Sequence, residues 1–159
     1  MHKIQKELLL EALNFANTEP DYASNLINEA LAYGVNSPPS GFLDGSIFKD
    51  PVYHGSDTLL EEGDTLDTRG KEYGIYVSPN RKYAKRHGKY MYECLINIKK
   101  PLYVEGKYEI SPKDLTKEDA KKINNDGYDC VVVTPDDTVT NASEIVLFDP
   151  DKIFIVNVR

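Results

Sequence analysis

The stretch Pro51-Val52-Tyr53-His54-Gly55-Ser56 is the part of the sequence from which the fold can be worked out. Its apolar and aromatic residues are typical of a strand, and the His-Gly pair lies where that strand would end. Two further stretches of this kind follow: Gly74-Ile75-Tyr76-Val77-Ser78 and, near the C-terminus, Ser143-Glu144-Ile145-Val146. A histidine, a tyrosine and a glutamate therefore lie, in that order, on or beside three predicted strands.

The body of the chain begins near Ile47 and consists mainly of short strands, because Val and Ile are prominent there and often alternate with polar residues. Many short strands with few helices favour an α+β fold over a doubly wound sheet. No Gly-x-Gly-x-x-Gly follows a strand, which argues against a Rossmann dinucleotide site. The predicted strands are Pro51–His54, Gly74–Val77, Tyr90–Ile98, Leu102–Val104, Cys130–Thr134, Ser143–Phe148 and Ile153–Val158, and the predicted helices are Asn80–His87 and Lys113–Asn124.

Two amphipathic helices are predicted before this body. Apolar residues recur at helical spacing over Lys3–Phe15, and Pro20-Asp21 opens a second such pattern that Gly34 would cap. Two short helices cannot bury their apolar stripes alone, so we expect a hairpin that docks on the rest of the chain.

A segment rich in proline, serine and glycine, from Asn36 to Gly45, has the composition of a linker. It separates a predicted helical hairpin with linker, residues 1–45, from a compact domain over residues 46–159. With 159 residues, 40% of them apolar and 28% charged, the chain has the composition of a soluble globular protein with a proper core.

The net charge of −7 argues against general electrostatic attraction to nucleic acid or anionic lipid. The stretch from Asn80 to His87 is locally basic, however. Both a solvated helix face and a role in facing phosphate groups remain open for it.

The two cysteines, Cys94 and Cys130, each fall inside a predicted strand, which favours buried free thiols over a disulfide. The cysteines and histidines show no spacing typical of zinc ligands, so no metal is expected. No run reaches the ~20 apolar residues needed to span a membrane, and the N-terminus lacks the features of a signal peptide. A cytoplasmic protein that does not engage a membrane is expected.

In their order and local context, His54, Tyr76 and Glu144 resemble the His-Tyr-Glu triad of ADP-ribosyltransferases. That family includes diphtheria-toxin-like enzymes, poly-ADP-ribose polymerases and short domains of phage and toxin proteins. The resemblance covers roughly Val52 to Val158. It implies a split β-sandwich of two small antiparallel sheets with short helices, here preceded by the helical hairpin. It also implies that the chain binds NAD as a substrate.

The resemblance gives each residue of these motifs a role. His54 would hydrogen-bond a ribose hydroxyl, while the backbone of Gly55, with Ser56 in the same motif, would hold the nicotinamide carboxamide and let the ligand approach closely. Tyr76 would stack on the nicotinamide ring. Glu144 would be the catalytic carboxylate, which stabilises the positive charge that develops on the ribose as the nicotinamide bond breaks.

Two positions in the predicted NAD site depart from the family pattern, and one acceptor feature is missing. The family's second stacking tyrosine is His87 here, and an imidazole can also stack. Ala84 stands where the polymerases place a serine that bonds the carboxamide, and Tyr83 is the neighbour that could substitute for it. Arginine-modifying members carry Glu or Gln at the position that Ala142 occupies, so an arginine acceptor is not implied.

The resemblance implies a mono-ADP-ribosyltransferase of phage or toxin type, which transfers ADP-ribose from NAD to a macromolecular acceptor. A protein acceptor is expected rather than a nucleic acid, and a cognate antitoxin or inhibitor is a further candidate partner. Three alternatives stay open: an NAD glycohydrolase that uses water as the acceptor, a catalytically inactive module that binds NAD or a partner, and a structural or inhibitory phage protein in which the hairpin is the functional part.

Overall fold

A computed structural model describes residues 3–32, 37–60, 65–66, 73–104 and 115–158, and within these residues the chain has the predicted α+β fold. The helices are α1 (Lys3–Phe15), α2 (Pro20–Ala32), α3 (Arg81–Ala84) and α4 (Lys117–Asn125), with 3-10 helices at Lys85–His87 and Pro150–Lys152. The strands are β1 (Val52–Ser56), β2 (Ile75–Val77), β3 (Tyr90–Ile96), β4 (Pro101–Val104), β5 (Cys130–Val133), β6 (Glu144–Leu147) and β7 (Ile153–Val158).

The strands form two small sheets. One sheet has three strands in the order β1-β3-β7, and the other has four strands in the order β2-β6-β5-β4. The pairs are antiparallel except for β4 and β5, which run parallel. The expectation of two antiparallel sheets is therefore wrong for this pair. A parallel pair needs a long crossover connection, and α4 lies in the connection between these two strands.

The main core lies between the two sheets. Val52 and Tyr92 of the three-stranded sheet pack in one cluster with Ile75, Val132 and Leu147 of the four-stranded sheet. Successive side chains of a strand point to opposite faces, so the alternate residues of these strands form this shared layer. The two sheets therefore pack face to face as a small sandwich.

Helix α4 covers the other face of the four-stranded sheet. Its residue Ile123 packs in a second cluster with Val131 and Val146. Because both faces of β5 are covered, all of its residues are buried, which explains its unbroken apolar run.

The N-terminus of α4 is set by a capping box. The Thr116 hydroxyl accepts a hydrogen bond from the backbone of Asp119, whose carboxylate accepts one from the backbone of Thr116. The helix therefore begins at Lys117 and not at the predicted Lys113. Lys113 and the predicted helix cap Gly34 both lie outside the described residues.

The first two helices form the predicted hairpin. Ala12, Ala23 and Leu26 are buried in a cluster of their own, and the rings of Phe15 and Tyr22 meet edge to face with centroids 5.2 Å apart. Docking of the hairpin against the strands of the body is not seen among the described residues. Among the described residues, the two helices contact each other extensively, and neither contacts a strand to a comparable extent. The small alanines let the helices approach closely and bury part of the apolar stripe, while Leu13 remains 71% exposed.

Both cysteines are buried free thiols, as predicted. Burial raises the pKa of Cys94 to about 12, and it also raises the pKa of Cys130. Among the described residues, no helix has the length and apolar character required to cross a membrane.

Candidate functional site

A cleft of about 410 Å³ opens where the two sheets meet, which lies within the range of roughly 300–1,000 Å³ usual for small-molecule sites. Strands from both sheets and the segment that contains α3 form its walls. The residues that line it are Tyr53, His54, Gly55, Tyr76, Val77, Ser78, Tyr83, Ala84, His87 and Glu144. The three triad candidates of the sequence, which come from three separate strands, therefore line one cleft.

The junction of the sheets is a β-bridge between Tyr53 and Ser78. The backbone N–H of each residue donates to the carbonyl of the other, over 2.8 and 2.9 Å. Alternate residues of a strand direct their backbone groups to the same edge, so the carbonyl of Tyr76 faces the β1 edge as that of Ser78 does. The His54 imidazole satisfies this carbonyl, since its Nδ1 lies 2.6 Å from the oxygen.

This hydrogen bond determines which nitrogen of the His54 ring carries the proton. A carbonyl oxygen can only accept, so Nδ1 carries the proton, and Nε2 is the acceptor of the neutral ring. Burial lowers the pKa of His54, partly opposed by the bond to Tyr76 and reinforced by the charge of His87. The ring is therefore neutral at physiological pH and can accept a hydrogen bond from a ligand hydroxyl.

Tyr76 and Glu144 lie on the same face of the four-stranded sheet. Tyr76 pairs with Val146 across the β2–β6 ladder, and Glu144 is two residues earlier on that strand. Diagonal neighbours of this kind have Cα atoms ~7–8 Å apart, within reach of long side chains. Tyr76 packs against the cluster of Val131 and Val146, and Glu144 is half-buried at the start of β6. An aromatic ring and a carboxylate thus stand side by side in the cleft.

The segment after β2 supplies the opposite wall of the cleft. The Asn80 side chain caps α3 by accepting hydrogen bonds from the backbone of Lys82 and Tyr83. The Tyr83 and His87 rings contact each other with centroids 4.9 Å apart. Burial raises the pKa of Tyr83, and the negative charge of Glu144 raises it further, so the phenol stays protonated.

Two glycines hold this wall against β1. A Cβ atom at Gly55 would lie 2.2 Å from the carbonyl oxygen of Ala84, and one at Gly88 would lie 2.2 Å from the backbone of Ser56. The backbone of the chain itself occupies the space beside Gly55. Packing therefore requires glycine here, in addition to the close approach of a ligand that was expected from the sequence. Without a side chain at either position, the wall sits in direct backbone contact with the strand.

Ser56 is the one predicted site residue that is not among the described residues lining the cleft. Its hydroxyl accepts a hydrogen bond from the backbone of Thr58 over 3.1 Å. Its role in the structure is to end the strand and to receive Gly88.

The sequence analysis did not assign a role to three residues that line the cleft. These are Tyr53 and Ser78 at the sheet junction, and Val77, which lies between Tyr76 and Ser78. Ser78 is 1% exposed, and its hydroxyl accepts from the backbone of Asn80. A serine followed by proline and asparagine at the end of a strand signals a turn into a helix. That signal could have located the start of the segment that forms this wall of the cleft.

A second overlooked feature is the loop before Glu144. The carboxylate of Asp136 accepts hydrogen bonds from the side chains of Thr134, Thr138 and Asn141. These bonds lower the pKa of Asp136. They tie the loop into a compact shape, which fixes the path by which the chain enters β6.

Among the described residues, no group of three or more His, Cys, Asp or Glu side chains could hold a metal ion. No family model matches the chain, and no curated protein matches it. A solved structure, described as a crystal structure of an anti-CRISPR protein, is similar over 71% of this chain and 99% of that chain, with 13% sequence identity and a TM-score of 0.46. That similarity is too distant to bear on function.

Proposed function

We propose that this protein is an NAD-dependent mono-ADP-ribosyltransferase. It cleaves the nicotinamide–ribose bond of NAD and transfers ADP-ribose to a macromolecular acceptor, which is a protein. The observation that carries the proposal is the single cleft lined by His54, Tyr76 and Glu144, three side chains from separate strands that have the types and the order of the family's triad.

The arrangement suits the chemistry of this bond. Nicotinamide leaves as a neutral ring, so the reaction needs no strong general acid. Positive charge develops on the ribose ring, and a carboxylate placed beside it stabilises the transition state. Glu144 supplies that carboxylate, and Tyr76, its diagonal neighbour, supplies a ring on which nicotinamide stacks.

The neutral imidazole of His54 supplies the anchor for a ribose hydroxyl, which donates to Nε2 because Nδ1 is committed to Tyr76. The contact between Tyr83 and His87 provides a second aromatic surface across the cleft, in place of the family's second stacking tyrosine. The Tyr83 hydroxyl, protonated beside Glu144, is a donor for the nicotinamide carboxamide where the family's serine is replaced by Ala84.

A second candidate function is that of a catalytically inactive module that binds NAD. The observation that favours it is His87, which stands where the family carries its second stacking tyrosine and is exposed in the structure. NAD hydrolysis with water as the acceptor is the remaining candidate within the enzyme class.

The test is incubation of the protein with NAD labelled in its adenylate part, in a cell lysate, while the release of nicotinamide is also followed. Glu144→Gln keeps the shape of the side chain and removes its charge, so nicotinamide release should fall roughly 100- to 1,000-fold while NAD binding is retained. Glu118→Gln, at an exposed carboxylate of α4, is the matched control and should behave like the parent.

The possible results separate the candidates. Labelled protein that depends on Glu144 supports the transferase. Nicotinamide release without any labelled acceptor indicates a glycohydrolase, and NAD binding without release indicates the inactive module. Release at the parental rate by Glu144→Gln would remove the catalytic role of this residue.

A further inference from the structure

The outer wall of the cleft carries an unusual concentration of positive charge. Arg81, Lys82 and Lys85 are exposed on the segment that contains α3, and so is Arg86, whose charge acts on Tyr83 of the cleft. No Asp or Glu occurs in the sequence between Glu72 and Glu93, although the chain as a whole has a net charge of −7. This positive charge is therefore local to the segment, in a chain whose net charge is negative.

The helical geometry divides this segment into two faces. At ~100° per residue, Tyr83, Ala84 and His87 fall on one side, and they line the cleft. Arg81 and Lys85, one turn apart, fall on another side, with Lys82 next to them. The cations thus belong to the outer side of the wall whose inner side closes the cleft.

The cationic face is held in a fixed place. The Asn80 cap starts the helix, and the backbone contacts at Gly55 and Gly88 press the segment onto β1. Any molecule bound to this face would lie beside the mouth of the cleft in one defined position.

The charges of this face are available to a partner. Within the part of the chain that the structure describes, no ion pair to another described residue is made by Arg81, Lys82 or Lys85. Glu144, a carboxylate that lines the cleft from β6, raises the pKa of Tyr83 on the inner side of this wall.

We propose that Arg81, Lys82 and Lys85 form a docking surface for an acidic segment of a partner protein. The identity of the partner rests on the proposed function: it is the acceptor of ADP-ribose, and the surface holds it at the mouth of the cleft. Charge complementarity of this kind raises the rate of encounter and fixes the orientation of the partner.

The size of the face favours an acidic protein segment over a nucleic acid. From Arg81 to Lys85 the helix rises only ~6 Å, which matches a few neighbouring carboxylates. A nucleic acid carries phosphates at regular intervals beyond that length, and its remaining charge would meet a protein of net charge −7.

The experiment is the binding of a fluorescent oligoglutamate peptide to the full chain, followed by anisotropy at low and at physiological salt. The triple variant Arg81→Gln, Lys82→Gln and Lys85→Gln should bind the peptide roughly tenfold more weakly than the parent. The triple variant Lys117→Gln, Lys121→Gln and Lys122→Gln removes the same charge from the exposed side of α4 and should change binding less than about twofold.

Three results would overturn the proposal: the peptide fails to bind the parent, both triple variants lose affinity equally, or an oligothymidylate of equal charge binds the parent more tightly than the peptide. NAD binding and nicotinamide release are measured on the same samples. Peptide binding on α3 without NAD binding leaves the surface intact and rejects the proposed function. Nicotinamide release without peptide binding rejects the surface alone.

Discussion

The Nδ1 atom of His54 lies 2.6 Å from the carbonyl oxygen of Tyr76, and this hydrogen bond joins the two sheets at the edge of the cleft. It connects two motifs that are separate in the sequence and fixes the tautomer of the neutral imidazole. Because it belongs to the fold as well as to the site, a change at His54 should alter both stability and ligand binding.

The first prediction concerns the pH dependence of stability. The pKa of His54 in the folded protein lies below its ordinary value of 6.5, so the unfolded chain takes up a proton first as the pH falls. The contribution of neutral His54 to the free energy of unfolding is therefore fully present above pH 6.5. It is lost as the pH falls from there towards the lowered pKa, and the free energy of unfolding falls by at most about 1.4 kcal/mol per pH unit. Urea unfolding of the parent and of His54→Asn, between neutral pH and pH 5, measures it.

In that comparison, the free energy of unfolding of His54→Asn should vary less with pH than that of the parent. Asparagine can still donate to the Tyr76 carbonyl but does not titrate. His87→Asn removes a charge that helps to lower the pKa of His54, so it should weaken the pH dependence only in part, and less than His54→Asn does. Parallel curves for the parent and His54→Asn would show that His54 is not the titrating group.

The second prediction concerns the ring of Tyr76. Tyr76→Ala should weaken NAD binding roughly tenfold, because an aromatic pair contributes ~0.5–1.5 kcal/mol beyond its buried area. Tyr76→Phe keeps the ring and should bind NAD within about twofold of the parent. Isothermal titration with NAD distinguishes the variants, and parental affinity in Tyr76→Ala would place the nicotinamide elsewhere.

The third prediction concerns the backbone contact at Gly55. In Gly55→Ala the new methyl group meets the carbonyl of Ala84, which should lower the free energy of unfolding by ~1–3 kcal/mol and also weaken NAD binding by displacing the wall. Gly127, at φ +88°, serves as the control, since alanine there is strained by ~1–2 kcal/mol but lies away from the cleft. Equal NAD affinity in the two variants would mean that the wall position does not matter for the ligand.

The fourth prediction concerns the separate core of the hairpin. Leu26→Ala removes a buried side chain from the cluster of α1 and α2 and should reduce the helical signal of the far-ultraviolet circular dichroism spectrum. It should leave NAD binding and the unfolding of the two-sheet body unchanged. Val132→Ala, at a fully buried position of the shared core, should lower the stability of the body by ~0.5–2.5 kcal/mol. A comparable loss of body stability in Leu26→Ala would indicate that the hairpin is docked after all.

The strands could be predicted from sequence because Val, Ile and aromatic residues concentrate in short segments. The direction of the β4–β5 pair could not, since residue alternation is the same in parallel and antiparallel strands. A common site for His54, Tyr76 and Glu144 was expected from the family resemblance, whereas the backbone contact of Gly55 with Ala84 depends on tertiary packing that no local pattern records. The docking of the hairpin was expected from its apolar stripe, whereas Ala12 and Ala23 belong to the contact of the two helices with each other.

The parallel β4–β5 pair has a consequence for the order of folding. Strands β5 and β6 are neighbours in the chain, joined by the loop that Asp136 ties together, so they can pair early at a small cost in loop entropy. Strand β4 reaches β5 only after the long connection that contains α4 has closed. In pulsed hydrogen exchange during refolding, the amides of β5 and β6 should therefore become protected before those of β4, and the sheet would grow outward from the strand that carries Glu144.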